Sequence, residues 1–196
     1  MKCIGVTGPV CSGKTTVAEY FRAMGACLID ADSMVHGLYR TDDRIIKRVR
    51  AEFGERVFTR GKIDRKKLAS EVFKNRSKLQ TLVAIVHPEV IKRIICETRK
   101  RKTRPTVIDA PLLFESGLHR LVDYVIVVRA SLRRRLRRCD KRGLAKSDMA
   151  KRGSFMIPLD KKIKYADFII DNDSSKNETR KAVKAIWAKI TGGKNG

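Results

Sequence analysis

Residues 3–16 read Cys3-Ile4-Gly5-Val6-Thr7-Gly8-Pro9-Val10-Cys11-Ser12-Gly13-Lys14-Thr15-Thr16. Gly8 to Thr15 match the phosphate-binding pattern GxxxxGK[ST], with an apolar run before it and the helix-like TTVAEYFRAM after it. In that strand–loop–helix setting, the backbone N–H groups from Cys11 to Thr16 converge on one concavity at a helix N-terminus, where they meet anionic phosphates. Lys14 reaches the β- and γ-phosphates of ATP, and the Thr15 hydroxyl ligates Mg²⁺. The expected ATP-binding set is therefore Gly8, Cys11, Ser12, Gly13, Lys14, Thr15 and Thr16. A chance strand-to-helix turn would not need four fixed identities in this order.

Outward from the loop, strand-like and helix-like stretches alternate, which predicts an α/β fold. It is a parallel sheet of the phosphate-loop NTPase type, flanked by helices. CIGVT is the first strand, followed by a helix from Gly13 to about Met24; CLID (27–30), PTVID (105–109), DYVIVV (123–128) and FIID (168–171) are further strands. Runs this short and apolar belong to a sheet covered on both faces. Val183, Ile186 and Ile190 have helical spacing and predict a C-terminal helix packed on the sheet. Residues 31–104 read as a helical substrate-binding insertion with almost no strand signal and a turn at Arg60-Gly61. Its last helix is expected to kink or restart at His87-Pro88. Residues 131–165 read as an Arg-rich lid, leaving 1–30, 105–130 and 166–191 as the core of a single domain. The tail TGGKNG reads as disordered.

Composition bounds the partners. The chain has 196 residues, with 45 Lys+Arg against 21 Asp+Glu, a formal net charge of +24. A nucleotide enzyme uses about half a dozen cations on phosphates, so a surplus remains, densest in RKRKTR (99–104) and RRRLRR (133–138). It permits nucleic-acid binding, but no aromatic residues interleave with the basic runs as a stacking platform requires, and a solvated surface explains it more simply. The five cysteines, Cys3, Cys11, Cys27, Cys96 and Cys139, are odd in number and form no CxxC pair. The expectation is neither a disulfide framework nor a zinc site, in a reducing cytoplasm. No apolar stretch approaches the roughly 20 residues of a membrane span, and the start MKCIGVTG has no secretory h-region. The expected protein is soluble and cytoplasmic.

Strand ends locate the remaining chemistry, because ligands of open α/β sheets gather there. The second strand ends in Ile29-Asp30-Ala31-Asp32. Asp32 reads equally as a group orienting an attacking hydroxyl and as a cap for the helix that follows. Asp109, closing the apolar Val107-Ile108, suits the carboxylate that joins Thr15 around Mg²⁺. Six arginines lie between Arg133 and Arg142, with Arg135, Arg138 and Arg142 on one helical face. Arg138, Arg142 and Arg152 are candidates to neutralise the transferred phosphoryl group. His36, His87 and His119 have no second His or Cys at ligand spacing. The absence of an NKxD sequence argues against a guanine-specific switch, so a small-molecule kinase fits best.

The segments IGVTGPVCSGKTTVAEYF, IDADSMVH, GKIDRKKLASEVF, VHPEVIKR, VIDAPLLFESGLHRLVDYVIVV and KIKYADFIIDN together resemble the dephospho-coenzyme A kinase family, along nearly the whole chain. The resemblance implies transfer of phosphate from ATP to the 3′-hydroxyl of the ribose of dephospho-CoA, the last step of coenzyme A biosynthesis. It implies catalytic roles for Lys14, Asp32, Arg138 and Arg152, with Asp32 as the base or hydroxyl-orienting group. It also implies dephospho-CoA contacts at Asp32, His87 and Glu115, a strand-end acid at Asp109, and a lid lysine at Lys162. Another kinase of this architecture, acting on a nucleoside or its monophosphate, is the alternative, and a basic nucleic-acid-binding protein stands behind it. The family usually has GGIGSGK where this chain has GPVCSGK, so Pro9 and Cys11 replace glycines. Adenylate kinases share a proline at the Pro9 position, whereas Cys11 adds a site of oxidation. Met156 and Leu159 stand where the family often carries glutamine and arginine, and Lys151, Lys161 and Lys162 are the neighbouring cations.

Overall fold

The computed structural model describes residues 2–100 and 103–192. Residues 101–102 of the first basic block and 193–196 of the tail lie outside the described residues. The described chain divides into two compact units: residues 1–30 with 98–196, and residues 31–97.

The first unit is built on a five-stranded parallel sheet in the order β2-β5-β1-β6-β7. Its strands are β1 (Cys3–Thr7), β2 (Cys27–Asp30), β5 (Thr106–Asp109), β6 (Tyr124–Arg129) and β7 (Phe168–Asp171). All five match sequence expectations to within a residue. Ile4, Val6, Val107, Ile126, Val128 and Ile170 are fully buried, as a sheet covered on both faces requires. The helices α1 (Lys14–Ala23) and α9 (Lys176–Thr191) share one core with it. Phe21 of α1 lies with its ring centroid 6.1 Å from that of Trp187, while Val183, Ile186 and Ile190 of α9 are buried at the predicted helical spacing. Ser175 begins α9 by accepting from Glu178 N at 3.2 Å, which satisfies one of the orphan donors of the first turn.

Between β6 and β7 the Arg-rich segment folds into α6 (Leu132–Asp140), α7 (Lys146–Ser154) and α8 (Leu159–Lys164). Arg142 falls outside α6, in the turn that follows, so it does not share a helical face with Arg135 and Arg138 as expected. The stretch after β5 is a series of turns leading into a 3₁₀ turn at Leu118–Leu121.

The second unit holds α2 (Ala31–Thr41), α3 (Asp43–Phe53), a hairpin of β3 (Phe58–Thr59) and β4 (Lys62–Ile63), α4 (Arg65–Val72), and most of α5 (Arg76–Lys100). The hairpin turns on Arg60-Gly61, where both residues have positive φ, so the expected turn belongs to a short antiparallel ladder that had no strand signal of its own. Two-residue strands carry too little pattern to be read. The expected restart at Pro88 is corrected: α5 runs unbroken through it. Proline removes one N–H from the helix, but buried Leu82, Ile85, Val86, Val90 and Ile94 on both sides of it anchor the helix to its core.

Glu71, buried on α4, gathers three cations from this unit: Lys74, Lys78 and Arg56. Hydrogen bonds from Lys74 and Lys78, opposed by burial, lower its carboxyl pKa from 4.5 to about 2. A carboxylate depressed in this way stabilises the folded state above its ordinary pKa, and that stabilisation is lost as pH falls through the folded value. Urea unfolding of Glu71→Gln should therefore show a lower midpoint than the parent at about pH 7, with the gap closing between about pH 4.5 and pH 2.

Candidate active site

β1 ends at Thr7 and α1 begins at Lys14, so Gly8 to Gly13 form the loop between the middle of the sheet and a helix N-terminus. Two glycines in it are required. Gly8, at φ 153°, lies so close to the Val128 carbonyl that a Cβ would collide with it, and a Cβ on Gly13, at φ 98°, would strike the Asn172 amide. Within the loop, Ser12 N and Lys14 Nζ both donate to the Pro9 carbonyl at 3.2 Å.

The outward carbonyls of the loop are held from α6 and from the end of β7. Arg135 Nε donates to Val10 O at 2.9 Å, Arg138 Nη1 to Ser12 O at 2.8 Å, and Asn172 Nδ2 to the same Ser12 oxygen at 2.7 Å. Arg138 Nη2 also donates to Asn172 O at 2.7 Å. Thr179 of α9 fixes the Asn172 amide by donating to its Oδ1 at 2.9 Å. Burial lowers the pKa of both guanidinium groups, aided in Arg138 by the charges of Arg134 and Arg142, though an arginine remains charged under such a shift. With its carbonyls fixed outward, the loop is free to present its N–H groups to an anion.

Thr15 and Asp109 meet as the sequence proposed: Thr15 Oγ1 donates to Asp109 Oδ2 at 2.8 Å. Asp109 is buried and ends β5, in register with Val6 of β1 and Asp30 of β2. Among the described residues no group of three or more His, Cys, Asp or Glu side chains could hold a metal ion.

The cysteine expectation is corrected. Cys11 and Cys139 form a disulfide between the loop and α6, with Cα atoms 5.9 Å apart and a sequence separation of 128. Motif spacing and an odd total do not reveal two distant positions that the fold brings together. Both cysteines are buried in a small apolar cluster with Met149, Val10, Leu136 and Leu144.

Glu115, in the turns after β5, serves as a tie within this unit. Its Oε1 accepts from Ile157 N at 2.7 Å and pairs with Lys162 Nζ at 2.9 Å. Lys162, almost wholly buried, also donates to Pro111 O at 3.3 Å. Burial lowers its pKa and Glu115 opposes that shift, within the ion pair the two groups form. A cavity of about 250 Å³ opens beside the loop, lined by Pro9, Arg135, Gly153, Met156, Ile157, Pro158, Leu159 and Lys162. Met156 and Leu159, the two atypical lid positions, thus make its wall partly apolar. Arg152 is exposed on α7.

Asp32 and His87 belong to the second unit. Asp32 lies in the first turn of α2, which starts at Ala31 without a break after β2. Its charge and burial push the Tyr39 phenol pKa up, burial contributing most, while Arg65 opposes them. His87 lies on α5, where partial burial lowers its pKa. Arg135, Asn172, Thr179 and Cys139 were missed as functional positions. Arg135 shared a predicted face with Arg138, and Asn172 closes the segment ADFIIDN, so both carried a signal.

A phosphate loop at the end of the first strand, a second carboxylate one strand away and an Arg-rich segment before the last strand define the chain as a phosphate-loop kinase. The family model described as dephospho-CoA kinase matches residues 2–178. A protein named dephospho-CoA kinase from Aquifex aeolicus is 39% identical over 193 residues, covering 97% of this chain and 98% of its own. A crystal structure from Thermus thermophilus superposes with a TM-score of 0.83 at 30% identity, covering 96% of this chain and 97% of the other. A dephospho-CoA kinase from Campylobacter jejuni superposes at 0.69 with 26% identity, covering 98% of each chain. The chain belongs to the dephospho-CoA kinase family.

Replacing Asn172 with alanine removes a buried amide that serves both Ser12 and Thr179. The variant should lose about 1–3 kcal/mol of unfolding free energy in urea and bind ATP more weakly in a calorimetric titration.

Proposed function

We propose that this protein transfers the γ-phosphoryl group of ATP to the ribose 3′-hydroxyl of dephospho-CoA, completing coenzyme A in the cytoplasm. The observation that carries the proposal is the joining of Thr15 to Asp109 beside a fully formed phosphate loop, in a chain that aligns end to end with relatives named for this reaction.

Lys14 and the loop residues Gly8, Cys11, Ser12, Gly13, Thr15 and Thr16 bind the triphosphate. Thr15 and Asp109 are oxygen donors of the kind Mg²⁺ takes when phosphates and water complete its shell, and they are the residues that would hold it. Bound there, Mg²⁺ would neutralise charge on the phosphate oxygens. Asp32 orients the acceptor hydroxyl, a role supported by its place in the first turn after a strand end. His87 contacts the acceptor. Glu115 acts on the acceptor side through its hold on Ile157 and Lys162. Arg138 and Arg152 neutralise the transferred phosphoryl, for which Arg138 has to exchange the neutral carbonyls it holds for phosphate oxygens, a charge-assisted and stronger partner.

A coupled assay of ATP consumption against dephospho-CoA, adenosine, uridine and CMP tests the acceptor: turnover should be highest with dephospho-CoA. Preference for a nucleoside or CMP would replace the reading. Asp32→Asn should lower kcat by about 10²-fold or more, as loss of an acid–base group does, with ATP affinity little changed. An equal loss in both would remove Asp32 from the acceptor side. Lys14→Ala should abolish turnover while circular dichroism shows the fold intact, and turnover near the parent level would move the site away from the loop.

A further inference from the structure

Cys11 occupies a position that costs the chain something. With φ at 60° it is one of only two non-glycine residues with positive φ among the described residues, the other being Arg60 in a hairpin turn. A left-handed backbone disfavours any L side chain. What the side chain gains there is a partner, Cys139 of α6, in an apolar cluster.

The same helix supplies Arg135 and Arg138, which bond the carbonyls of Val10 and Ser12, the residues on either side of Cys11. Two guanidinium groups of α6 therefore hold the loop backbone on both sides of Cys11, while its sulfur lies among apolar side chains. The two sulfurs already meet across the contact between the loop and α6, and the thiolate is the form that reacts with disulfides. In a compartment that keeps most thiols reduced, a disulfide is ordinarily a transient or sensing device.

We propose that Cys11 and Cys139 form a thiol–disulfide switch that sets kinase turnover, and this rests on the phosphoryl-neutralising role given to Arg138 above. With the bond open, α6 is attached to the loop by hydrogen bonds and apolar contact alone, and Arg138 can leave Ser12 O for the phosphates. With it closed, α6 is covalently fixed to the loop and Arg138 stays on the loop backbone. Closure is an exchange with a low-molecular-weight disulfide. The Cys11 thiolate attacks one sulfur of that disulfide, giving a mixed disulfide and releasing one thiolate. Cys139, after giving its proton to solvent, attacks the Cys11 sulfur and releases the second thiolate. The two protein thiols are oxidised by two electrons, one external disulfide is reduced to two thiols, and excess thiol reverses both steps.

Three free cysteines serve as an internal control: Cys3, Cys27 and the exposed Cys96. The full-length protein is reduced with dithiothreitol, or oxidised with glutathione disulfide until peptide mass mapping shows the Cys11–Cys139 link. ATP binding and dephospho-CoA-dependent turnover are then measured in both states and in Cys139→Ser. Oxidation of the parent should lower turnover by about tenfold or more, since one well-placed arginine is worth on the order of 10³ in rate. Dithiothreitol should restore it, and Cys139→Ser should turn over equally after either treatment. Three outcomes overturn the switch: the link fails to form in excess glutathione disulfide, the linked and reduced parent turn over within about twofold of each other, or Cys139→Ser loses activity on oxidation as the parent does. A reduced parent that binds ATP but fails to phosphorylate dephospho-CoA would instead overturn the acceptor assignment.

Discussion

The carbonyl oxygen of Ser12 accepts hydrogen bonds from Arg138 and from Asn172, and Val10 O accepts from Arg135. A phosphate-binding loop turns N–H groups toward the anion, so carbonyls such as those of Val10 and Ser12 face protein, where each needs a donor. In this chain those donors come from two segments far from the loop in sequence. Asn172 reaches it from the end of β7, braced by Thr179, and the two arginines reach it from α6. The order of strands β1, β6 and β7 places both segments beside the loop. The nucleotide site is thus a property of the whole sheet.

The same arrangement makes α6 the point where binding and catalysis meet. Arg138 supports the loop backbone, and in the proposed reaction its occupancy at Ser12 O competes with its use on a phosphate. Cys139 is the next residue along the helix, and its bond to Cys11 bears directly on that competition.

Much of this was legible in the sequence. Every strand of the main sheet announced itself as a short apolar run, and Thr15 and Asp109 were paired from their positions alone, because strand-end geometry constrains them. The short hairpin at 58–63 was not visible, since two residues cannot show a period of two. Pro88 does not restart the helix because a local rule about one missing N–H was outweighed by the packing of a long helix. The disulfide was hidden because pairing 128 residues apart leaves no local pattern. Arg135 and Asn172 were passed over because a side chain that serves a backbone carbonyl has no motif; its partner is known only once the chain is folded.

Glu115 carries a consequence for how such chains can be recombined. One carboxylate outside the 131–165 segment anchors the α7–α8 connection at Ile157 and neutralises the buried Lys162. The segment is therefore not a self-contained cassette. Grafted onto a related core whose turn after β5 lacks an acid, it would bring an unpaired ammonium into an apolar setting, a cost of several kcal/mol in such environments. Chimeras of this fold have to move Glu115 and its turn together with the segment.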